Sequence, residues 1–301
     1  MVTTVSKSAA LKVKKAALKA SRKPTLKHTG PHEHETTGRV SVLERNLPIL
    51  ARSMTFSRMV RSNADFLGQF KDFEWLFPIL CRRKDQAAMT ECERSRYICA
   101  FNMINNDGTL GQLVDIHDGM HMQHSSARLL PWHRVFLYLF EEALHNYHPD
   151  VCIPYWDWTR PEEQIFASWL SGFHPTVHTP TRTINVVRSP GSGGDLASIA
   201  SVTPTAMAKT DYGQFSSLIN GIHGSVHMWV GGTMSDASVS PADPIFWLHH
   251  ANLDRLWWVW YNSPQGNHQN PPLSGADAVM DPWTYTETDV RNITSLGYTY
   301  A

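Results

Sequence analysis

Cysteine is scarce in this chain, with four in 301 residues, unevenly spaced. That argues against a disulfide-built scaffold and leads to an expectation of reduced, mostly buried thiols. Cys92 and Cys99 stand two turns apart in a helical pattern, which puts their Cα atoms roughly 10 Å from each other, too far to bridge. Long apolar runs are missing too: no stretch approaches the eighteen or so residues of a membrane span. Net charge is lacking, since 27 basic and 27 acidic residues cancel, so nothing in the bulk points to nucleic acid or an acidic partner. The N-terminus has no apolar core of a secretory signal, which favours a cytoplasmic location.

The charge balance conceals an asymmetry. Residues 1–30 hold Lys7, Lys12, Lys14, Lys15, Lys19, Arg22, Lys23 and Lys27 and no acid, so they carry +8 and the remainder −8. Residues 1–38 read as a basic, solvated arm ending in a turn that holds His28, His32 and His34. Residues 39–301 are long enough, with ordinary hydrophobic content, to bury a substantial core.

Periodicity places five helices. Thr90 and Glu93 form a capping-box pattern that opens a helix to about Ile104. Leu113, Ile116 and His117 share a face of a second, from Leu110 to Met122. A third starts near Pro131 and ends before Pro149, with Val135, Leu139, Phe140 and Ala143 as its buried stripe. The Thr-, Ser-, Pro- and Gly-rich residues 171–210 read as long surface loops. A fourth helix covers Tyr212 to Val230, stopped by Gly231-Gly232, and a fifth opens at the N-cap Asp243 with Pro244 and runs to Trp260. The tail from Asn262 reads as loop with short extended pieces. The expected class is mainly α, a helical bundle with long loops and few short strands.

Histidine, by contrast, is abundant at 16 residues, and two stretches space it for metal. The first holds His117, His124 and His133. The second holds His223, His227 and His250. His223 and His227 lie four apart and share a helix face, and His250 arrives from the next helix. His249 is about 100° around that helix from His250, so the two cannot address one ion equally. Any one of these, beside Trp132 or Trp247, is by itself more often a core residue than a ligand. Zinc competes for three-His sites, but two matched all-imidazole sets without carboxylate or thiolate favour a pair of copper ions held in a bundle.

Several segments carry a family resemblance: Leu129-Leu-Pro-Trp-His-Arg-Val-Phe-Leu-Tyr-Leu-Phe-Glu141, Ile153-Pro-Tyr-Trp-Asp-Trp-Thr159, His227-Met-Trp-Val-Gly-Gly-Thr-Met234 and Asp243-Pro-Ile-Phe-Trp-Leu-His-His-Ala-Asn-Leu-Asp-Arg255. Together with Asp281-Pro-Trp283 and Leu296-Gly-Tyr-Thr-Tyr300 they resemble the central domain of the tyrosinase and polyphenol oxidase family of type-3 copper proteins, over about residues 95–300. The resemblance makes 39–301 a tyrosinase-like catalytic domain. It implies that His117, His124 and His133 hold one copper, with His121 a competitor for His117, and that His223, His227 and His250 hold the other. Neither His121 nor Met122 is the cysteine that cross-links a first-site histidine in some eukaryotic members, so the chain resembles the bacterial type.

The implied reaction oxidises an o-diphenol or o-aminophenol to an o-quinone with O2. Monophenol hydroxylation in the family is linked to an Asn after the first second-site histidine and a Glu upstream. Here Gly224 takes the Asn position, and Phe215 or Ile219 stands where the Glu would, which favours diphenol oxidation. His249 is then a candidate base, and Met228 and Ser240 are expected at the substrate entrance. Trp132, Phe246 and Trp247 are expected as a dry aromatic wall, and Asp254 with Arg255 as a local ion pair. The chain stops just after the family-like end, so no C-terminal shielding domain is expected. A copper-delivery helper is an expected partner beside the phenol and O2. The alternatives are a tyrosinase with full monophenolase activity and a haemocyanin-like oxygen carrier, which would use the same ligands without turnover. Asn292-Ile-Thr294 is a glycosylation sequon expected to be silent.

Overall fold

The computed structural model describes residues 81–120, 123–124, 126–160 and 166–301. The basic arm, its histidines, His121 and Met122 lie outside the described residues. Helix α1 (Glu91–Asn106) opens with both bonds of the expected capping box: Glu93 N donates to Thr90 Oγ1 at 3.2 Å and Thr90 N to Glu93 Oε2 at 2.8 Å. Helix α2 (Thr109–Gly119) ends earlier than its pattern suggests. Helix α3 (Leu129–His145) starts two residues before Pro131, whose missing N–H falls in the first turn, where no intrahelical partner exists. It ends at Asn146, ahead of Pro149.

Residues 171–210 are not continuous loop. Thr176–His178 (β2) and Thr183–Asn185 (β3) form an antiparallel hairpin, and Gly193–Ala200 (α4) and Thr203–Met207 (α5) are helical. Turn-forming composition concealed a second capping box, in which Ser192 and Asp195 bond each other's backbone N–H. Helix α6 (Tyr212–Val230) ends where Gly231 and Gly232 take φ values of 65° and 55°, which a side chain would resist. Helix α7 (Pro244–Tyr261) has Asp243 as its N-cap, bonded to Ile245 N.

Helices α3 and α7 pack together and are buried nearly all round, their polar residues included. Their contact is aromatic: Phe140 stacks on Trp247 with ring centroids 3.6 Å apart. The first and last described strands, Cys81–Arg83 (β1) and Tyr298–Tyr300 (β4), pair in parallel, and Arg83 reaches Glu141 of α3 and Asp254 of α7. No helix among the described residues is long and apolar enough to cross a membrane.

Two expectations about cysteine fail. Cys81 and Cys152 form a disulfide with Cα atoms 5.5 Å apart, linking β1 to the segment after α3. Spacing of 71 residues carries no sign of that proximity, because only the packed fold creates it. Cys92 and Cys99 are free, but exposed rather than buried.

Candidate metal centre

Helices bring seven described histidines to the middle of the molecule. His117 comes from the last turn of α2, His124 from the α2–α3 connection, and His133 from the first turns of α3. His223 and His227 come from one face of α6, and His249 and His250 from α7. Each group presents one nitrogen per residue within 4.8 Å of the others: His117, His124 and His133 in the first, and His223, His227, His249 and His250 in the second. The second group thus includes His249, which helical geometry had set apart. The two groups adjoin, since His133 stacks on His250 at 4.3 Å and His124 on His223 at 5.6 Å.

The ring orientations fix the chemistry. Nδ1 of His117 lies 2.8 Å from the Ala237 carbonyl, that of His133 2.8 Å from the Leu129 carbonyl, and that of His227 2.7 Å from the Met234 carbonyl. A carbonyl only accepts, so each Nδ1 donates its proton and each Nε2 keeps a lone pair. Yet Nε2 of His117 and Nε2 of His133 stand 3.4 Å apart, and Nε2 of His227 is 3.2 Å from Nε2 of His250. The lone pairs of His117 and His133, both fixed by their Nδ1 partners, repel at that distance unless a cation lies between them. Outward Nδ1 anchoring with inward Nε2 is the usual arrangement of ligating imidazoles.

Burial supports the same reading. Among these seven only His124 is partly exposed; the others are 8% exposed or less. Burial, then repulsion from neighbouring rings, pushes His133, His223 and His250 well below the ordinary histidine range. Burial lowers His227 to about 4, with the Met234 carbonyl opposing. The rings are neutral at pH 7, as metal ligands must be. Nε2 of His223 has no hydrogen-bond partner. Neither nitrogen of His249 makes a well-formed hydrogen bond, although the His223 carbonyl is near enough to favour its proton. The donor set is all imidazole, without thiolate or carboxylate, which fits copper.

Residues 100–195 and 174–263 match the family model for the common central domain of tyrosinase. The chain belongs to the tyrosinase family. The tyrosinase of Streptomyces antibioticus is 31% identical over 260 residues, covering 68% of this chain and 93% of that protein. A haemocyanin A-type of Enteroctopus dofleini, units Ode to Odg, is 30% identical over 167 residues, 46% of this chain and 13% of that one. Among solved structures, a functional unit of octopus haemocyanin shares the fold with a TM-score of 0.60 at 22% identity, covering 73% of this chain and 67% of that chain. Grenache (Vitis vinifera) polyphenol oxidase does so with a TM-score of 0.53 at 18% identity, covering 74% and 85%. The tyrosinase family holds two copper ions, and the two histidine groups are suited to a dinuclear site.

The surroundings of the histidines differ in part from expectation. Phe246 contacts His250 at 4.1 Å and His117 at 5.2 Å, and Trp132 lies 5.9 Å from His117. Trp247 stands one layer back, against Phe136, Phe140 and Phe246. Phe136, which the sequence reading overlooked, stacks on His117 at 5.6 Å. Asp254 does not pair with Arg255. It binds Arg134 Nε at 2.6 Å and accepts from the Tyr298 and Tyr300 hydroxyls, each at 2.6 Å. Burial alone would raise its carboxyl, but Arg134 and Arg83 hold it below the usual range. Arg255 turns instead to Asp157 and Asn252. Adjacent residues of a helix point about 100° apart and do not face each other, so Asp254 meets the buried Arg134, which is 1% exposed.

Ser240, expected at the entrance, is completely buried in a turn before α7. Met228, by contrast, is 66% exposed. Gly224 is half-buried, and a Cβ there would meet nothing within 4 Å. Phe215 and Ile219 are wholly buried, with Phe215 stacked on Trp260 at 4.2 Å. A second overlooked residue is Asn220. Its Oδ1 accepts from His223 Nδ1 at 3.4 Å, and its Nδ2 donates to the His124 carbonyl at 2.8 Å. It lies one turn before His223 on the same face of α6, and that spacing was readable. Arg188, in the segment taken for loop, grips both oxygens of Asp243 at 2.7 Å and so fixes the start of α7.

Proposed function

We propose that this chain oxidises o-diphenols or o-aminophenols to o-quinones with O2, through residues 39–301. In this reading His117, His124 and His133 hold one copper and His223, His227 and His250 the other. When bound, the copper pair supplies the O2 chemistry and takes the two electrons of each diphenol. The observation that carries the reading is the outward anchoring of Nδ1 in His117, His133 and His227, which turns each Nε2 lone pair inward and sets those of His117 and His133 3.4 Å apart.

The chain's residues divide the remaining work. Nδ1 contacts hold the rings in one tautomer. Phe136, Trp132 and Phe246 close one side against water. In this reading His249, buried beside His223 and His227 at ring distances of 5.4 and 4.9 Å, or a hydroxide on the copper pair, would accept the phenol proton. Gly224 and Met228 border the route of entry, whereas the buried Ser240 acts through packing. Because the donors are enclosed, a copper-delivering helper protein belongs to the reading.

Gly224 lacks the polar side chain that would hold a water for deprotonating a monophenol, and Phe215 and Ile219 are core residues. Diphenol oxidation is therefore expected to exceed tyrosine hydroxylation by a wide margin. Oxygen uptake by the copper-loaded protein with catechol, o-aminophenol and tyrosine tests this. Prompt tyrosine hydroxylation would overturn the preference, and reversible O2 binding without turnover would indicate a carrier. Gly224→Asn, for which the structure has space, is expected to raise tyrosine hydroxylation. No rise would remove the role given to this position.

A further inference from the structure

A groove of about 700 Å³ lies beside α6. Its walls include Asp195 and Ile199 of α4 and Asn220, Gly224, Met228 and Trp229 of α6. The volume suits a small organic molecule. Asn220 joins the groove to the metal centre, because its side chain bonds both the His223 ring and the His124 carbonyl. His124 is also the partly exposed ring of the two groups. A phenol approaching His124 along this path would leave its ring substituent in the groove.

The chemistry of the lining is asymmetric. Ile199 and the exposed Met228 offer apolar surface for a ring or a short alkyl tether. Among the described residues Asp195 is the one charged side chain in the lining, and no described Lys, Arg or His accompanies it there. The helix cap engages its Oδ2, which accepts from Ser192 N at 3.2 Å and Ser192 Oγ at 2.7 Å. Those donors are neutral, so Asp195 keeps its negative charge toward the groove. A groove with an apolar stretch and a single carboxylate favours a cationic substituent over an anionic one.

We propose that this groove is the substituent pocket of the enzyme and that Asp195 selects phenols bearing a protonated amine over phenols bearing a carboxylate. The proposal rests on the oxidase reading above and names the substrate class of that same site. Asp195 is a specificity-determining residue here and takes no part in the redox step.

The test compares kcat/KM for 3,4-dihydroxyphenethylamine and 3,4-dihydroxyphenylacetate in the copper-loaded wild type, Asp195→Asn and Ser192→Ala. The wild type is expected to favour the amine. Asp195→Asn retains an acceptor for the cap but loses the charge. A Coulomb interaction across a hydrated groove is worth roughly threefold for each charged substrate, so the amine-to-acid ratio should fall about tenfold at low ionic strength. Ser192→Ala weakens the same cap and keeps the charge, and its ratio should stay as in the wild type. An Asp195→Asn ratio within twofold of the wild type overturns the proposal, as does an equal fall in Ser192→Ala. If the wild type fails to turn over plain catechol, the oxidase reading has failed by itself. Calorimetric binding of tyramine and 4-hydroxyphenylacetate then decides the groove: an amine preference lost in Asp195→Asn sustains it, and equal binding of the two refutes it.

Discussion

Asn220→Ala should weaken copper binding at both histidine groups at once. The substitution removes two contacts, the 3.4 Å bond from His223 Nδ1 and the 2.8 Å bond to the His124 carbonyl. One steadies a ring of the second group, and the other steadies the connection that carries a ring of the first. Loss of a partner that orients a ligand typically costs about 10–100-fold in metal affinity. The His223 bond is long and Asn220 is half-buried, which points to the lower end. We expect about a tenfold loss, or ~1.4 kcal/mol. Competition with a copper chelator measures it, with circular dichroism verifying the fold. Asn220→Asp keeps the acceptor for His223 and loses the donor to His124, so its affinity should fall between wild type and alanine. A folded Asn220→Ala protein that binds copper within twofold of the wild type would refute the role of this residue.

Three further outcomes follow from the packing. Asp254→Ala strands Arg134 in the core, where breaking a buried pair costs about 3–5 kcal/mol; urea unfolding of the metal-free protein should show that loss, and a change below about 1 kcal/mol would contradict the pairing. Opening the Cys81–Cys152 bridge, which spans 71 residues, should cost about 4 kcal/mol by the loop-entropy model, so identical urea midpoints with and without reductant would count against it. In metal-free protein the buried, neutral His227 titrates at about 4 rather than 6.5. The unfolded chain binds the proton first, so stability present above pH 6.5 is lost as pH falls toward 4, by about 3 kcal/mol from this residue alone. A melting temperature that is flat over that range would show His227 to be solvated.

Local signals were the readable ones. The Thr90 box, the Gly231-Gly232 stop and the four-residue spacing of His223 and His227 depend on neighbours within one or two turns, and the bounds of α6 are as its pattern implies. What escaped depends on distant partners. Asp254 meets Arg134 across 120 residues, and Cys81 meets Cys152 across 71. His249 joins its group because α6 and α7 converge, which no property of α7 alone can reveal. In residues 171–210, short helices and strands of a few residues give too little periodicity to stand out from turn-rich composition.

The pairing of β1 with β4 carries a consequence for how the chain is made. Arg83 and Tyr300 are bonded across 217 positions, and contacts so distant in sequence carry the greatest closure entropy and tend to form late. Until Tyr298 and Tyr300 arrive, Asp254 lacks two of its donors and Arg83 lacks the Tyr298 ring, 3.6 Å from its guanidinium. A growing chain therefore keeps these charges hydrated while α3 and α7 are already synthesised. Desolvation of the charged cluster becomes a late act of folding, a latch that shuts only once Tyr298 and Tyr300 have left the ribosome.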